Sequence, residues 1–156
     1  MDDVTEMLEI EKIKQLKYRY LRFLDTKEWD SLGALFSENA RSAYGDGRYS
    51  FEGRDAIMKF LVDSLGRASI LTAHHGHHPE IELTSESTAT GTWALWDTVI
   101  DLEHGFTLRG AAFYTDEYVK QDGEWRFRST GYRRTYEEME PRSDALKLTS
   151  NRFAEG

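Results

Sequence analysis

The sequence predicts an α+β domain: helices in the first third, then a long, strongly curved and largely antiparallel sheet. Two observations carry this. Apolar residues recur every three or four positions as far as Leu65, the spacing of one buried helix face. From Pro79 onward the period changes to two, and the alternating runs are joined by short polar turns, as in a meander of neighbouring antiparallel strands.

The first helix is expected over Val4 to Leu24, with Ile10, Ile13, Leu16, Tyr20 and Leu24 on one face and Asp3 and Glu6 at capping-box spacing. A second, shorter helix is expected to begin at Asp25, with Glu28 three residues on and Trp29, Leu32, Leu35 and Phe36 inward. Gly45-Asp46-Gly47 then reads as the turn of a hairpin. The third helix, Arg54 to Leu65, turns Ile57, Phe60, Leu61 and Leu65 inward and stops at Gly66. Two strands are expected around Ser85-Glu86-Ser87, and two more around Gln121-Asp122-Gly123. Several runs exceed eight residues, so the sheet must bend, through bulges or at Gly91, Gly110 and Gly131. One domain is expected over residues 1–136, with residues 137–156 as a C-terminal tail.

Composition narrows the function. The chain has 156 residues, 39% of them hydrophobic, enough for one domain with a sizeable core. A formal charge of -8 argues against binding nucleic acid or anionic membranes, which attract basic surface. No apolar run approaches the roughly 18–20 residues of a bilayer span, and the acidic start lacks the pattern of a signal peptide. With no cysteine there is no disulfide, thiolate nucleophile or cysteine-bound metal, and a cytoplasmic location is the default expectation.

Four of the five histidines crowd into His74-His75-Gly76-His77-His78. A metal site needs three or four ligands converging in space. In an extended chain successive side chains point to opposite faces, so at most two of the four can share a cavity. No metal is expected. A histidine does suit proton abstraction near neutral pH, and works best when a carboxylate fixes its tautomer. Asp97 is a candidate, because Trp93, Leu95, Asp97 and Val99 share a strand face; its plainer role is an ion pair with an arginine on the next strand. Tyr20 lies on the inward face of the first helix, where its plainer role is a core tyrosine with one hydrogen bond. Asp25 has a plainer role as N-cap of the second helix. Arg133 shares parity with Trp125 and Phe127 if no bulge intervenes, and could then hold an anion or pair with Asp97 or Asp116.

These residues carry a resemblance. Ile13, Leu16, Tyr20 and Asp25 form I-x-x-L-x-x-x-Y-x-x-x-x-D; His74 to Ile81, Tyr114-Thr115-Asp116 and Asp122-Gly123-Glu124-Trp125-Arg126 follow in order. Over residues 5–135 the set resembles the SnoaL-like branch of the NTF2-like superfamily, which implies a cone of helices on a curved sheet. That superfamily includes dehydratases, isomerases, polyketide cyclases and non-catalytic binding modules, so fold leaves function open. The dehydratases, scytalone dehydratase and bile-acid 7α-dehydratase among them, are the most similar in pattern. Their likeness implies Tyr20, Asp25, His74, Asp97 and Arg133 or Arg134 as site residues. His74 would be the base, oriented by Asp97, and Tyr20 would be assisted by Asp25. It further implies a cofactor-independent dehydratase acting on a hydrophobic, polycyclic or steroid-like molecule. An isomerase, a cyclase or a binding module is the alternative. The second face of the central strand, with Ala94, Trp96, Thr98 and Ile100, would meet water unless covered, so a homodimer or homotrimer is expected.

Overall fold

Why the helices come first is visible in what they bury. In the computed structural model, which describes residues 1–154, α1 (Asp3–Thr26) turns Ile13, Leu16, Tyr20, Leu21 and Leu24 onto the sheet. Its N-cap is Asp2, one residue earlier than the expected Asp3; the Asp2 side chain accepts from the Thr5 amide at 2.9 Å. The helix runs through Asp25 rather than ending before it, and closes at Lys27 in the left-handed conformation. The Lys27 ammonium donates to the carbonyls of Leu65, Arg67 and Ile70, which pins the end of α1 against the start of the third strand. The second helix, α2, is one short turn, Trp29–Gly33, and Phe36 already belongs to a strand.

β1 (Phe36–Tyr44) and β2 (Tyr49–Glu52) form the expected hairpin, and α3 (Arg54–Leu65) follows. β3 (Ile70–Leu83) starts nine residues before Pro79, so the histidine cluster lies inside a strand rather than ahead of one. β4 (Thr88–Asp101), β5 (Phe106–Gln121) and β6 (Glu124–Pro141) complete a six-stranded sheet of order β2-β1-β6-β5-β4-β3. The meander from β3 to β6 is antiparallel as expected, but β1 pairs with β6 in parallel, so the sheet is mixed. That pairing joins strands distant in the chain, and alternation along a single strand cannot reveal its direction.

Two bulges in β6 supply the bend. Glu117 pairs with Ser129 but Tyr118 with Phe127, leaving Arg128 unpaired; Ala111 pairs with Tyr136 but Ala112 with Arg134, leaving Thr135 unpaired. Arg128 therefore resets the parity. Trp125 and Phe127 face inward, and then Thr130, Tyr132 and Arg134 do, while Arg133 is exposed.

The concave face of the sheet packs on α1 and α3 around Trp93, Tyr20, Phe36, Phe127 and Ile57, all almost fully buried. Among them sits one ion pair, Lys17 with Asp116 at 2.8 Å, both completely buried. Among the described residues no helix is long and apolar enough to cross a membrane.

Candidate functional site

Between α1, α3 and the sheet lies a cavity of about 400 Å³. This lies within the roughly 300–1,000 Å³ of small-molecule sites. Its apolar wall includes Leu24, Phe60, Leu61, Val99, Phe106 and Leu108; its polar wall includes Tyr20, Tyr44, His74, Asp97, Tyr114, Tyr132, Arg134 and Glu137.

Strand geometry selects His74 from its neighbours. His74 and Gly76 point inward, while His75, His77 and His78 are exposed. Gly76 meets α1: a Cβ there would lie 2.8 Å from Leu21 Cδ1, so a side chain at this position would push the tip of Leu21 aside. The strand then bulges after His77, with His78 at φ 50°. His75 and His77 rings stack on the outer face. Among the described residues no group of three or more histidines and carboxylates is arranged to hold a metal ion.

The partner expected for His74 is Asp97, and the two are indeed opposite each other in the β3–β4 register. The hydrogen bond goes elsewhere. His74 Nδ1 lies 2.6 Å from Asp25 Oδ1, and the His74 backbone amide donates to Asp25 Oδ2 at 2.8 Å. Thr72, two residues away on the same face, donates its hydroxyl to Asp25 Oδ1 at 2.8 Å. Asp25 is therefore no N-cap: it hangs from the last turn of α1, which the Lys27 clamp holds over β3. With an acid-paired Nδ1 carrying the proton, Nε2 presents its lone pair. That nitrogen makes no hydrogen bond to protein among the described residues, and His74 lines the cavity.

Asp97 is engaged by Arg134, not by His74. The two guanidinium nitrogens meet its two oxygens at 2.5 and 3.0 Å, a bidentate pair, and Arg134 Nε donates to Glu137 at 3.0 Å. Burial opposes the guanidinium charge, but the hydrogen bonds and charge of Asp97 outweigh it and hold the Arg134 pKa above its ordinary value. The expected Arg133 lies outside the cavity, moved off the inward face by the bulge at Arg128. The hairpin turn steadies its neighbour, for Asp46 accepts the Arg134 amide at 2.9 Å.

Tyr20 is in the wall, paired not with Asp25 but with Tyr44, hydroxyl to hydroxyl at 3.0 Å. Burial pushes the Tyr20, Tyr44 and Tyr114 phenols well above their ordinary pKa, so all three remain neutral donors. Sequence reasoning missed Thr72, Tyr44, Tyr114, Tyr132 and Glu137. Thr72 shares parity with His74, and Tyr114 shares parity with Asp116, so both were discoverable; Tyr44 reaches the cavity from a strand that only the sheet order brings there, and Glu137 belongs to β6 at a position expected in the tail.

Comparison with known proteins agrees with this architecture. A family model described as a SnoaL-like domain matches residues 5–131. Among solved structures, a candidate scytalone dehydratase from Novosphingobium aromaticivorans superposes with a TM-score of 0.79 at 26% identity, covering 88% of this chain and 91% of that one. The hexachlorocyclohexane dehydrochlorinase LinA-type3 from Novosphingobium barchaimii gives 0.80 at 19% identity, covering 96% and 99%. A variant of Rv3472 of Mycobacterium tuberculosis, a protein of unknown function, gives 0.71 at 26% identity, covering 86% and 76%.

Proposed function

For a chain that belongs to the SnoaL-like domain family, we propose the chemistry of a cofactor-independent lyase, a dehydratase of a polycyclic or steroid-like small molecule. The observation that carries this reading is the Asp25–His74 pair in the cavity wall, with Nδ1 held at 2.6 Å and Nε2 unengaged by protein among the described residues. His74 Nε2 takes a proton from a carbon next to a carbonyl. The C–H electrons form the new double bond, the C–O bond at the next carbon breaks, and the departing hydroxide leaves as water with a proton from His74 or a tyrosine. Asp25 stabilises the imidazolium as it forms. The Tyr20–Tyr44 pair has one phenol proton to spare after its mutual bond, and can donate it to the carbonyl oxygen as negative charge develops. Such an elimination needs neither a redox cofactor nor a metal.

The arginine is assigned differently from the sequence expectation. Arg134 already faces Asp97 and Glu137, so its charge is compensated and it holds the wall rather than a substrate anion. The substrate is accordingly neutral. The names of two structural neighbours, a candidate scytalone dehydratase and a dehydrochlorinase, also denote eliminations, which supports the reaction class without identifying the substrate.

The test separates proton abstraction from elimination. A panel of neutral cyclic β-hydroxy ketones is incubated with the protein in D2O and analysed by mass spectrometry. Loss of water together with deuterium uptake, both absent in His74→Ala, is the expected result. Deuterium uptake without loss of water would favour an isomerase on the same groups. Binding with neither would leave a binding module and refute the lyase.

A further inference from the structure

Four tyrosines stand as neighbours in the cavity wall. Tyr20 and Tyr44 share the hydroxyl-to-hydroxyl bond of 3.0 Å. The Tyr114 ring is roughly perpendicular to those of Tyr20 and Tyr132, with centroids 6.3 and 5.7 Å away, and Tyr132 meets Tyr44 at 6.0 Å to close the set. Tyr132 is only partly buried, so water can serve its hydroxyl. Tyr114 is different. It is 1% exposed, yet its hydroxyl makes no hydrogen bond to protein among the described residues, where a buried phenol ordinarily finds a partner. Tyr118, on the same face of β5, shows the ordinary case: its hydroxyl accepts from Trp93 and donates to Asp116. Among the described residues Ser42 Oγ is the one side-chain polar atom both sealed from solvent and without a partner. The Tyr114 hydroxyl is therefore not sealed, and it opens on the cavity that its ring lines.

We infer that Tyr114 is a further catalytic residue, donating a hydrogen bond to the substrate oxygen that gains negative charge, alongside the one from the Tyr20–Tyr44 pair. That role rests on the proton abstraction by His74 proposed above, whereas the donor set exists whatever the reaction. An enolate oxygen has lone pairs for more than one donor, and the Tyr20–Tyr44 pair, with one proton spent on its mutual bond, offers a single one. Tyr114 supplies the next. Its aim is fixed before a substrate arrives: the Lys17 ammonium, held by Asp116 at 2.8 Å, lies 3.3 Å from the centre of its ring, and Tyr20 and Tyr132 flank it. A donor already in place needs no reorganisation as charge develops, so its bond strengthens from ground state to transition state. Burial raises the Tyr114 pKa, so the phenol keeps its proton and contributes a hydrogen bond rather than a proton transfer.

The test is Tyr114→Phe, which removes one oxygen and no hydrogen bond to protein among the described residues, so the variant is expected to stay folded by circular dichroism. With the β-hydroxy ketones in D2O, its deuterium uptake is expected to fall about 100-fold with KM little changed, the usual effect of deleting one such donor. A second measurement needs no substrate. Calorimetry compares 4-nitrophenolate, whose oxygen carries delocalised negative charge as an enolate's does, with nitrobenzene, which lacks that oxygen. The wild-type preference for the phenolate is expected to fall about tenfold in Tyr114→Phe, while nitrobenzene binds as before. A role confined to packing would move neither readout. Uptake lost in His74→Ala but kept in Tyr114→Phe leaves the lyase reading standing and overturns the role given to Tyr114. So does a phenolate preference that Tyr114→Phe retains. A wild-type chain that takes up no deuterium overturns the lyase reading and the catalytic role with it.

Discussion

Asp116 and Asp25 each receive three hydrogen bonds, in surroundings that differ in one respect. Asp116 takes one from Lys17, one from Tyr118 and one from Thr130, at 2.8, 2.9 and 2.6 Å. Trp93 in turn donates to the Tyr118 hydroxyl, and the Lys17 ammonium sits over the Tyr114 ring. Nothing in that cluster reaches solvent. Asp25 takes its bonds from Thr72, the His74 amide and the His74 ring, but the ring has a second nitrogen, and it lines a cavity. A buried polar cluster whose groups meet only one another and the rings around them holds structure. One that leaves a titratable atom at an open wall can also exchange a proton. Burial alone does not separate the two; the unspent lone pair does.

Removing that lone pair is the sharpest way to test the contrast. With a substrate in hand, His74→Ala is expected to lower kcat by about 10²- to 10⁴-fold, with little change in melting temperature. Asp25→Asn should damage the same step, because the amide can hold the wrong tautomer, and the double variant should be little slower than His74→Ala alone. His75→Ala, on the outer face, is the matched control and is expected to keep its activity. Additive losses would show that Asp25 and His74 do not act as a unit.

The Lys17–Asp116 cluster should respond in the reverse sense. Lys17→Met leaves a buried carboxylate without its cation, and unfolding in urea should show a loss of about 3–5 kcal/mol. Replacing both, as Lys17→Met/Asp116→Asn, should recover part of this, since the amide carries no buried charge and its oxygen can still accept from Thr130. A single variant that stays within about 1 kcal/mol of wild type would break the comparison, because the closed cluster would then not be holding structure.

Asp97 lies between these cases. Asp97→Asn keeps some hydrogen bonds to Arg134 but loses the charge, so a stability loss of about 1–3 kcal/mol is expected. Proton abstraction from a neutral substrate should suffer less than in Asp25→Asn. Equal loss of deuterium uptake in the two variants would return Asp97 to the role of orienter.

The smallest expected effect is on acid stability. Glu9 accepts from Lys12, Lys120 and Trp125, and these bonds bring its carboxyl to about 2 from an ordinary 4.5 against the cost of burial. A lowered carboxylate pKa means the unfolded chain binds the proton first. Its contribution is therefore whole above pH 4.5 and is lost as the pH falls toward 2. Glu9→Gln should flatten that part of the melting-temperature profile, by a few degrees at most. An unchanged slope would mean that other carboxylates govern the acid limb.

Much of this was legible in the chain. Spacing of three and four placed α1 and α3, alternation placed the strands, and Gly45-Asp46-Gly47 marked a turn. These are local properties, carried by neighbours along one element. The inward set of β4, from Trp93 to Val99, was readable for the same reason, and so was the limit on how many histidines could share a cavity. The partners were not. His74 and Asp97 are register neighbours, yet His74 bonds to a helix residue 49 positions away, because the Lys27 clamp fixes where α1 ends. Arg134 rather than Arg133 faces the cavity because Arg128 is bulged, and a bulge reflects the pairing of two strands rather than the pattern of one. The parallel β1–β6 pairing likewise joins strands far apart in sequence. Sequence by itself determined which residues share a face, since that follows from the backbone's own period. Only the tertiary structure decided which atoms meet, since that depends on register and helix placement, which are set by the packing of the whole core.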